Sequence, residues 1–167
     1  MTALAVIALG SNLGDRQATL EHAVAALDAL PESSIRAVSS WHGTVALTLD
    51  GPDPDKPEYL NGVALLDTRL DPFQLLDGLR AIENLHGRER VERWGDRTLD
   101  LDLIAFGALE IDSEQLQVPH PRAHERDFVL APWFELDPDA ELVGRGRIAD
   151  LLAGLRSRTE PEEGATP

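Results

Sequence analysis

The chain has 167 residues, of which 43% are hydrophobic, and this size and composition predict a single domain with an ordinary core. It contains no cysteine, which excludes disulfides and cysteine-ligated zinc, and its net charge of -15 opposes binding to nucleic acid and to anionic membranes. The apolar run at residues 3–9 is too short to span a bilayer and no basic residue precedes it, so we expect a cytoplasmic protein without a signal peptide.

The chain is predicted to begin with a strand, a turn and a helix. Residues 3–9 are apolar throughout, as in a buried strand, and residues 10–15 are rich in the Gly, Ser, Asn and Asp that favour turns. A helix that ends before Pro31 follows, because apolar residues recur there at helical spacing. The predicted buried face of this helix consists of Leu20, Val24, Leu27 and Leu30.

Two more strands are predicted on either side of a long loop. The second strand covers residues 33–42 and the third covers residues 59–68. Between them, residues 43–57 are predicted to be irregular, because the Asp, Gly and Pro of residues 50–55 oppose regular structure. A loop of this length in a compact domain is usually functional or disordered.

The second helix has a start signal and an end signal. Asp71 is the predicted N-cap and Pro72 takes the first helical position, while Gln74 is placed to complete a capping box. Gly87 marks the end of the helix. Its apolar stripe is predicted to consist of Leu75, Leu76, Leu79, Ile82 and Leu85.

Signals are weaker in the C-terminal part of the chain. Residues 118–122 are predicted to be extended or a loop because they contain two prolines, and residues 128–136 do not discriminate between helix and strand. A short helix is predicted over residues 147–155. We therefore expect one domain over residues 1–155 and a polar, disordered tail over residues 156–167.

The order of the first six elements predicts the fold class. Strand-helix-strand-strand-helix-strand is the βαββαβ order of the ferredoxin-like plan, an α+β fold with a mainly antiparallel sheet and both helices on one face. The remaining segments would be additional C-terminal elements. This arrangement leaves the second face of the sheet free to build a site.

The strongest local pattern is an alternation of Leu and Asp. Leu99, Leu101 and Leu103 would lie on one face of a strand, and Asp100 and Asp102 would lie on the other. Two carboxylates at this spacing, about 7 Å apart along the strand, can converge on one or two hard cations. The alternative is a solvated sheet face without a ligand.

An arginine-rich segment precedes this strand. Residues 88–97 contain four arginines, and guanidinium groups beside metal-binding carboxylates suggest phosphoryl chemistry. The segment has little apolar pattern, so we predict a mobile lid that closes over a bound nucleotide. The alternative is a surface loop whose arginines pair with Glu89, Glu92 and Asp96.

Three segments together resemble the 6-hydroxymethyl-7,8-dihydropterin pyrophosphokinase family of folate biosynthesis. They read ALGSNLGD at residues 8–15, ERWGDRTLDLD at residues 92–102 and VPHPR at residues 118–122, in the family's order and spacing. The resemblance implies the ferredoxin-like plan and transfer of pyrophosphate from ATP to the hydroxymethyl group of 6-hydroxymethyl-7,8-dihydropterin, with release of AMP. It also implies two Mg²⁺ ions, and we expect a monomer.

The same resemblance implies roles for individual residues. Asp100 and Asp102 would bind metal, and Arg88 and Arg97 would act in the transfer. The positions that would bind ATP are Glu83, Arg90, Trp94, His120 and Arg126. The positions that would bind the pterin are Thr44, Tyr59, Asn61 and Phe128. A carboxamide can pair with the donor and acceptor edge of a pterin, and an aromatic ring can stack on it.

Several of these residues also have a purely structural interpretation. Trp94 and Phe128 are equally suited to packing, and Glu83 to an exposed helix surface. His120 lies between two prolines, where a local hydrogen bond is the more common role.

The chain departs from the family pattern at a few positions. Residues 45–47 are Val-Ala-Leu where family members often have prolines. Arg80 stands where we expect Gln, and Gln115 and Gln117 stand where an Arg and a Thr can contact ATP. The first difference bears on what residues 45–50 contribute to the pocket, and the others bear on the affinity for ATP, while the metal and transfer residues are intact.

Two other functions remain open at this point. The first is a different metal-dependent phosphoryl or nucleotidyl transferase, for which the pterin positions would be coincidental. The second is a non-catalytic ferredoxin-like binding module, which would leave the paired Asp residues and the arginine-rich segment without a use.

Overall fold

The computed structural model describes residues 2–11, 16–44, 47–48, 51–52, 59–87 and 99–159. The strands are β1 (Ala3–Ser11), β2 (Ser33–Val38), β3 (His42–Thr44), β4 (Leu47–Thr48), β5 (Gly51–Pro52), β6 (Tyr59–Thr68), β7 (Asp100–Phe106), β8 (Ile111–Asp112), β9 (Gln117–Val118), β10 (Glu141–Leu142) and β11 (Gly146–Arg147). The helices are α1 (Arg16–Asp28), α2 (Pro72–Gly87), α3 (Asp127–Leu136) and α4 (Ile148–Thr159), with a 3₁₀ turn at Ala123–Glu125. Within the described ranges, none of the helices has the length and apolar character needed to cross a membrane.

An antiparallel sheet forms the centre of the molecule. Its strand order is β2-β6-β1-β7, and β3 pairs with β6 as well. The longest ladder joins β1 to β6, from Ala3 opposite Thr68 to Ser11 opposite Leu60. The described chain is therefore an α+β fold with an antiparallel sheet, as the order of elements predicted.

Helices α1 and α2 cover one face of this sheet. Leu20 and Leu27 of α1 are fully buried there, because the helical spacing of the leucines turns them to the same side. Leu75 and Leu79 of α2 join the same apolar core. This core also contains Ile7 of the central strand β1.

The start of α2 agrees with the sequence, whereas its apolar stripe is shorter than predicted. The backbone N–H of Asp71 donates to Gln74 Oε1 at 2.9 Å, and the N–H of Gln74 donates to Asp71 Oδ1 at 2.8 Å, which is the predicted capping box. Leu85 was expected in the stripe but is 65% exposed, since the buried part of α2 ends at Ile82 among the described side chains.

The second face of the sheet is covered as well, so the expectation of a free face was wrong. Val6, Val63 and Ile104 point away from α1 and α2 and are buried at 3% exposure or less. They pack with Leu130 of α3 and Ile148 of α4 in a second core. Strands with apolar side chains on both faces need cover on both, and the C-terminal helices supply it.

A β-bulge in β7 adds apolar surface to this second core. Val6 pairs with Ala105 but Ile7 pairs with Leu103, so Ile104 is one extra residue in β7. Both Ile104 and Ala105 consequently pack in the second core, while Leu103 stays in the first.

The strand predicted over residues 33–42 is interrupted at Ser39. The Ser39 N–H donates to the Val63 carbonyl at 2.9 Å, but the Val63 N–H donates to Ser39 Oγ at 2.9 Å. A side-chain oxygen thus replaces the backbone carbonyl in the ladder, and the strand divides into β2 and β3.

Three further segments differ from the prediction. The segment predicted to be irregular contains the short antiparallel pair β4–β5, which needs only two residues on each side. The undecided residues 128–136 belong to helix α3. Helix α4 runs to Thr159 because no proline interrupts residues 156–159, so it includes the start of the predicted tail. Residues 160–167 lie outside the described ranges.

We predict that Gly62→Ala destabilises the fold. A Cβ at position 62 would overlap the indole ring of Trp41 and lie 3.0 Å from Ser39 Oγ, at the point where β2 gives way to β3. Overpacking of this kind costs about 2 kcal/mol, measured as the free energy of unfolding in denaturant.

Gly154→Ala is the matched control. A Cβ there meets nothing within 4 Å. Because Gly154 lies inside α4, alanine should stabilise the helix by about 0.5–1 kcal/mol. Equal effects of the two substitutions would contradict the packing argument.

Candidate active site

A row of residues crosses the sheet at the end of β1. Gly10 of β1 pairs with Asn61 of β6 on one side and with Asp100 of β7 on the other. Asn61 in turn pairs with His42 of β3. Adjacent strands are about 4.8 Å apart, so the backbones of Asn61 and Asp100 are about 10 Å apart. Gly10 places no side chain between them.

The next row carries the second carboxylate. Asp102 pairs with Ala8, which lies on the same face of β1 as Val6. Asp100 is half-buried and the side chain of Asp102 is 46% exposed. Leu101 and Leu103 are buried on the opposite face, so the alternation seen in the sequence is confirmed.

Arg126 connects this carboxylate to an aromatic ring. Its Nη1 lies 3.9 Å from Asp102 Oδ2, and its guanidinium carbon lies 5.6 Å from the centre of the Phe128 ring. Arg126 directly precedes α3, so the start of that helix brings the guanidinium and the Phe128 ring to the beginning of β7, where Asp102 lies. A partly exposed ion pair contributes little stability, and its main effect is to orient the two side chains.

His120 is held next to the same carboxylate. Its backbone N–H donates to the Ile104 carbonyl at 2.9 Å, and its Nδ1 accepts the Arg122 N–H at 3.1 Å. Burial lowers the pKa of His120, and the charges of Arg126 and Arg122 lower it further, while Asp102 acts in the opposite direction. The lowered pKa favours the neutral imidazole, and the bond accepted at Nδ1 favours the tautomer that carries its proton on Nε2.

A cleft of about 660 Å³ opens beside Asp102. This volume is in the range of small-molecule and cofactor sites. Helix α2, strand β7, the β8–β9 connection and the segment after β9 all contribute to its walls. The side chains relevant to a ligand are Arg80, Glu83, Asp102, Gln115 and His120.

Glu83 bridges α2 to the edge of the sheet. Its Oε2 accepts the Leu101 N–H at 2.7 Å. Strand β7 is the last strand on its side of the sheet, so an outward-facing amide there needs a partner from outside the ladder. Glu83 thus has a structural contact in the wall of the cleft, and its role towards a nucleotide stays a prediction.

The residues predicted to bind the pterin lie on two elements. Thr44 pairs with Tyr59 and His42 pairs with Asn61 in the β3–β6 ladder, and the Asn61 side chain is buried at 6% exposure. Phe128 lies on α3 and is half-buried against the second core. The ladder and the start of α3 both border the row described above.

A cluster of Ser40, His42 and Glu135 was not anticipated from the sequence. Glu135 Oε2 accepts the Ser40 N–H at 2.8 Å, and Glu135 Oε1 contacts Ser40 Oγ at 2.8 Å and His42 Nε2 at 3.0 Å. The Ser40 amide is the main cause of a lowered pKa at Glu135, and the His42 and Ser40 side chains add to it. No sequence pattern marks the cluster, because Glu135 lies 95 residues from Ser40 and 93 residues from His42 in the chain.

Four of the predicted site residues cannot be placed. Arg88, Arg90, Trp94 and Arg97 lie outside the described residues, as does the segment predicted to be a lid. Their roles stay predictions of the sequence.

The two carboxylates at the start of β7 are suitable ligands for Mg²⁺. Among the described residues there is no group of three or more His, Cys, Asp or Glu side chains that could hold a metal ion. Mg²⁺ does not require such a group, because it keeps several waters and takes one or two carboxylates together with substrate phosphates. Asp100 and Asp102, on one face at i and i+2, meet this requirement.

We predict that Glu83→Ala speeds hydrogen exchange at the Leu101 amide. Without the carboxylate this N–H has lost its partner at a sheet edge, and exchange should rise about tenfold. Asn84→Ala, the neighbouring substitution in the same cleft wall, should leave the amide unchanged. Unaltered exchange in Glu83→Ala would show that the bond does not protect β7.

Comparisons with known proteins identify the family of the chain. Residues 6–138 match the family model described as 7,8-dihydro-6-hydroxymethylpterin-pyrophosphokinase (HPPK). The chain is 45% identical over 147 residues to the 2-amino-4-hydroxy-6-hydroxymethyldihydropteridine pyrophosphokinase of Pseudomonas aeruginosa, covering 88% of each chain. It is 42% identical over 148 residues to the enzyme of the same name from Haemophilus influenzae, covering 89% of this chain and 90% of that one.

Solved structures share the fold. Wild-type HPPK-DHPS of Plasmodium falciparum superposes with a TM-score of 0.72 at 13% identity, covering 99% of this chain and 43% of that one. An HPPK-DHPS structure in complex with substrates gives 0.74 at 11% identity, covering 98% and 45%. The chain thus spans less than half of these longer proteins, and at such identity the likeness concerns the fold alone. Given the family match and relatives at 45% and 42% identity, the chain belongs to the 7,8-dihydro-6-hydroxymethylpterin-pyrophosphokinase family.

Proposed function

We propose that this protein transfers pyrophosphate from ATP to the hydroxymethyl group of 6-hydroxymethyl-7,8-dihydropterin, giving the pterin diphosphate and AMP, in folate biosynthesis. Membership of the family supports this reaction. The single structural observation that carries it is the row across the sheet, in which Asn61 and Asp100 lie on either side of Gly10. That row would bring a pterin and a metal-bound nucleotide together on one face.

The pterin would lie at the β3–β6 end of this row. The buried amide of Asn61 would pair with the donor and acceptor edge of the ring, and hydrogen bonds to that edge would discriminate against rings with a different pattern of donors and acceptors. Phe128 would stack on the ring, and the Arg126 guanidinium lies 5.6 Å from the centre of the Phe128 ring. Thr44 and Tyr59 would line the same pocket from the β3–β6 ladder.

ATP would occupy the cleft beside Asp102. His120 would donate from Nε2 and Arg126 would supply positive charge, with Glu83 in the wall. Asp100 and Asp102 would hold Mg²⁺, with two ions expected, which would reduce the negative charge on the phosphate oxygens. Arg88 and Arg97 would stabilise the charge that develops during transfer, and Arg90 and Trp94 would contact ATP.

In the transfer, a bond forms between the pterin hydroxymethyl oxygen and the β-phosphorus of ATP. The bond from that phosphorus to the oxygen it shares with the α-phosphate breaks, AMP leaves with that oxygen, and the proton of the hydroxymethyl group is released to solvent. The contribution of the described residues is to place the two substrates next to each other, which removes much of the entropic cost of the reaction.

We also propose to class the fold as ferredoxin-like. The strand order β2-β6-β1-β7, with α1 and α2 packed on one face, supports this classification, and α3 and α4 are additions on the other face. The monomeric state and the cytoplasmic location stay predictions of the sequence.

The reaction is tested directly with the two substrates. Incubation with Mg-ATP and 6-hydroxymethyl-7,8-dihydropterin should give AMP that depends on the pterin, measured by chromatography. ADP as the product, or no product from protein shown to be folded, would favour a different transferase or a binding module.

We predict that Asp102→Asn lowers turnover by about a hundredfold or more without unfolding the protein, because the metal loses a charged ligand. The measurement is pterin-dependent AMP formation, together with thermal unfolding. Asp67→Asn is the control. Asp67 also lies on a strand and forms an ion pair with an arginine, Arg36, at 2.9 Å. It is near the end of β6 that is opposite to Asn61. Turnover retained in Asp102→Asn would contradict the metal assignment.

A further inference from the structure

The proposed pterin site is built from two elements that are distant in the sequence. Thr44, Tyr59 and Asn61 belong to the β3–β6 ladder, whereas Phe128 belongs to α3. Helix α3 packs against both β3 and β6. The width of the gap that would receive the pterin ring therefore depends on the position of α3 relative to the β3–β6 ladder.

One carboxylate joins α3 to the chain that enters β3. Glu135, in the last turn of α3, accepts the Ser40 N–H at 2.8 Å, contacts Ser40 Oγ at 2.8 Å and contacts His42 Nε2 at 3.0 Å. We call these three residues the Glu135 clasp. His42 is itself the residue that pairs with Asn61 in the ladder. The clasp thus connects α3 to the position next to the proposed pterin-binding amide.

Glu135 also lies where it can control the position of the Phe128 ring. Glu135 follows Phe128 by seven residues on α3, which is two helical turns, so both side chains leave the same face of the helix. A bond that holds one end of this face against β3 restricts rotation of the helix about its axis. It thereby restricts where the Phe128 ring lies relative to Asn61.

The clasp is not a nucleophilic triad. Ser40 Oγ and Glu135 Oε1 both approach the same imidazole nitrogen, His42 Nε2, at 3.3 and 3.0 Å. A triad requires the hydroxyl and the carboxylate on opposite nitrogens of the ring. The arrangement therefore fits a positional function and not activation of Ser40.

We propose that Glu135 is a positioning residue for the pterin, acting through Ser40 and His42 to hold α3 and the β3–β6 ladder at the separation that the ring requires. This inference rests on the proposed function, because it assigns a role within the same site. The side chains of Glu135 and His42 are both 38% exposed, and bonds this exposed contribute little to global stability. The effect of the clasp is consequently on binding of the pterin more than on folding.

The test is a comparison of Glu135→Ala with the unmodified protein. Binding of 6-hydroxymethyl-7,8-dihydropterin is measured by calorimetry in the presence of Mg²⁺ and a non-hydrolysable ATP analogue, and binding of the analogue is measured separately. We expect the Kd for the pterin to rise about tenfold, while the Kd for the analogue stays within about twofold. An unchanged Kd for the pterin, or an equal loss for both ligands, would overturn the proposal.

Asp67→Ala is the matched control for this comparison. It removes another side-chain carboxylate that ties two segments together, through Arg36 of β2, but at the end of β6 remote from Asn61. It should leave the Kd for the pterin unchanged. A similar loss in both variants would assign the effect to general loosening of the sheet and overturn the proposal.

A double-mutant cycle identifies the route of the effect. If Glu135 acts in part through the Ser40 hydroxyl, Ser40→Ala should by itself weaken pterin binding, and Ser40→Ala/Glu135→Ala should bind the pterin no more weakly than Glu135→Ala alone. Additive losses would mean that the two residues act independently, against the proposal. If Glu135→Ala does not fold, Glu135→Met, which keeps the length of the side chain and removes both acceptor oxygens, is used with the same criteria. Failure of the unmodified protein to bind any pterin would instead refute the proposed function, and the clasp's role with it.

Discussion

Burial of both faces of the central strands is the constraint on which the rest of the structure depends. Val6 and Ile7 are consecutive in β1, point in opposite directions, and are 3% and 0% exposed. Helices must therefore cover both sides of the sheet, α1 and α2 on one and α3 and α4 on the other. An open sheet face is not available for a ligand. The candidate site lies instead at the strand ends, where the apolar rows give way to Gly10, Asn61 and Asp100.

Covering the second face also determines the character of the site. Helix α3, which closes the second core, directly follows Arg126 and carries Phe128 in its first turn and Glu135 in its last turn. The same packing thus brings a cation to Asp102, an aromatic ring beside that cation, and a carboxylate to the entrance of β3. Local positive charge of this kind is needed in a chain with a net charge of -15 if it is to bind a nucleotide. Family membership disfavours the two other functions that the sequence left open.

Local patterns predicted the long strands of the central sheet and the helices α1, α2 and α4. The capping box of Asp71 and Gln74 and the alternation around Asp100 and Asp102 are short-range features, and both are present as expected. The predictions were wrong where a contact between residues distant in the sequence decides the local structure or the burial of a side chain. Ser39 interrupts a strand because its side chain pairs with Val63, and Leu85 is exposed because the core does not extend to it. The pairing of Ser40 with Glu135 has no local signal at all.

The sequence by itself determined the order of the main strands and of the first two helices, the two faces of the strand that carries Asp100 and Asp102, and the three segments of the family resemblance, because each depends on residues close together in the chain. The tertiary structure alone decided that both faces of the sheet are covered and that Glu83 ties α2 to Leu101. It also decided that Glu135 joins α3 to β3. These contacts depend on how helices pack against the sheet, and packing brings together residues that no pattern along the chain relates.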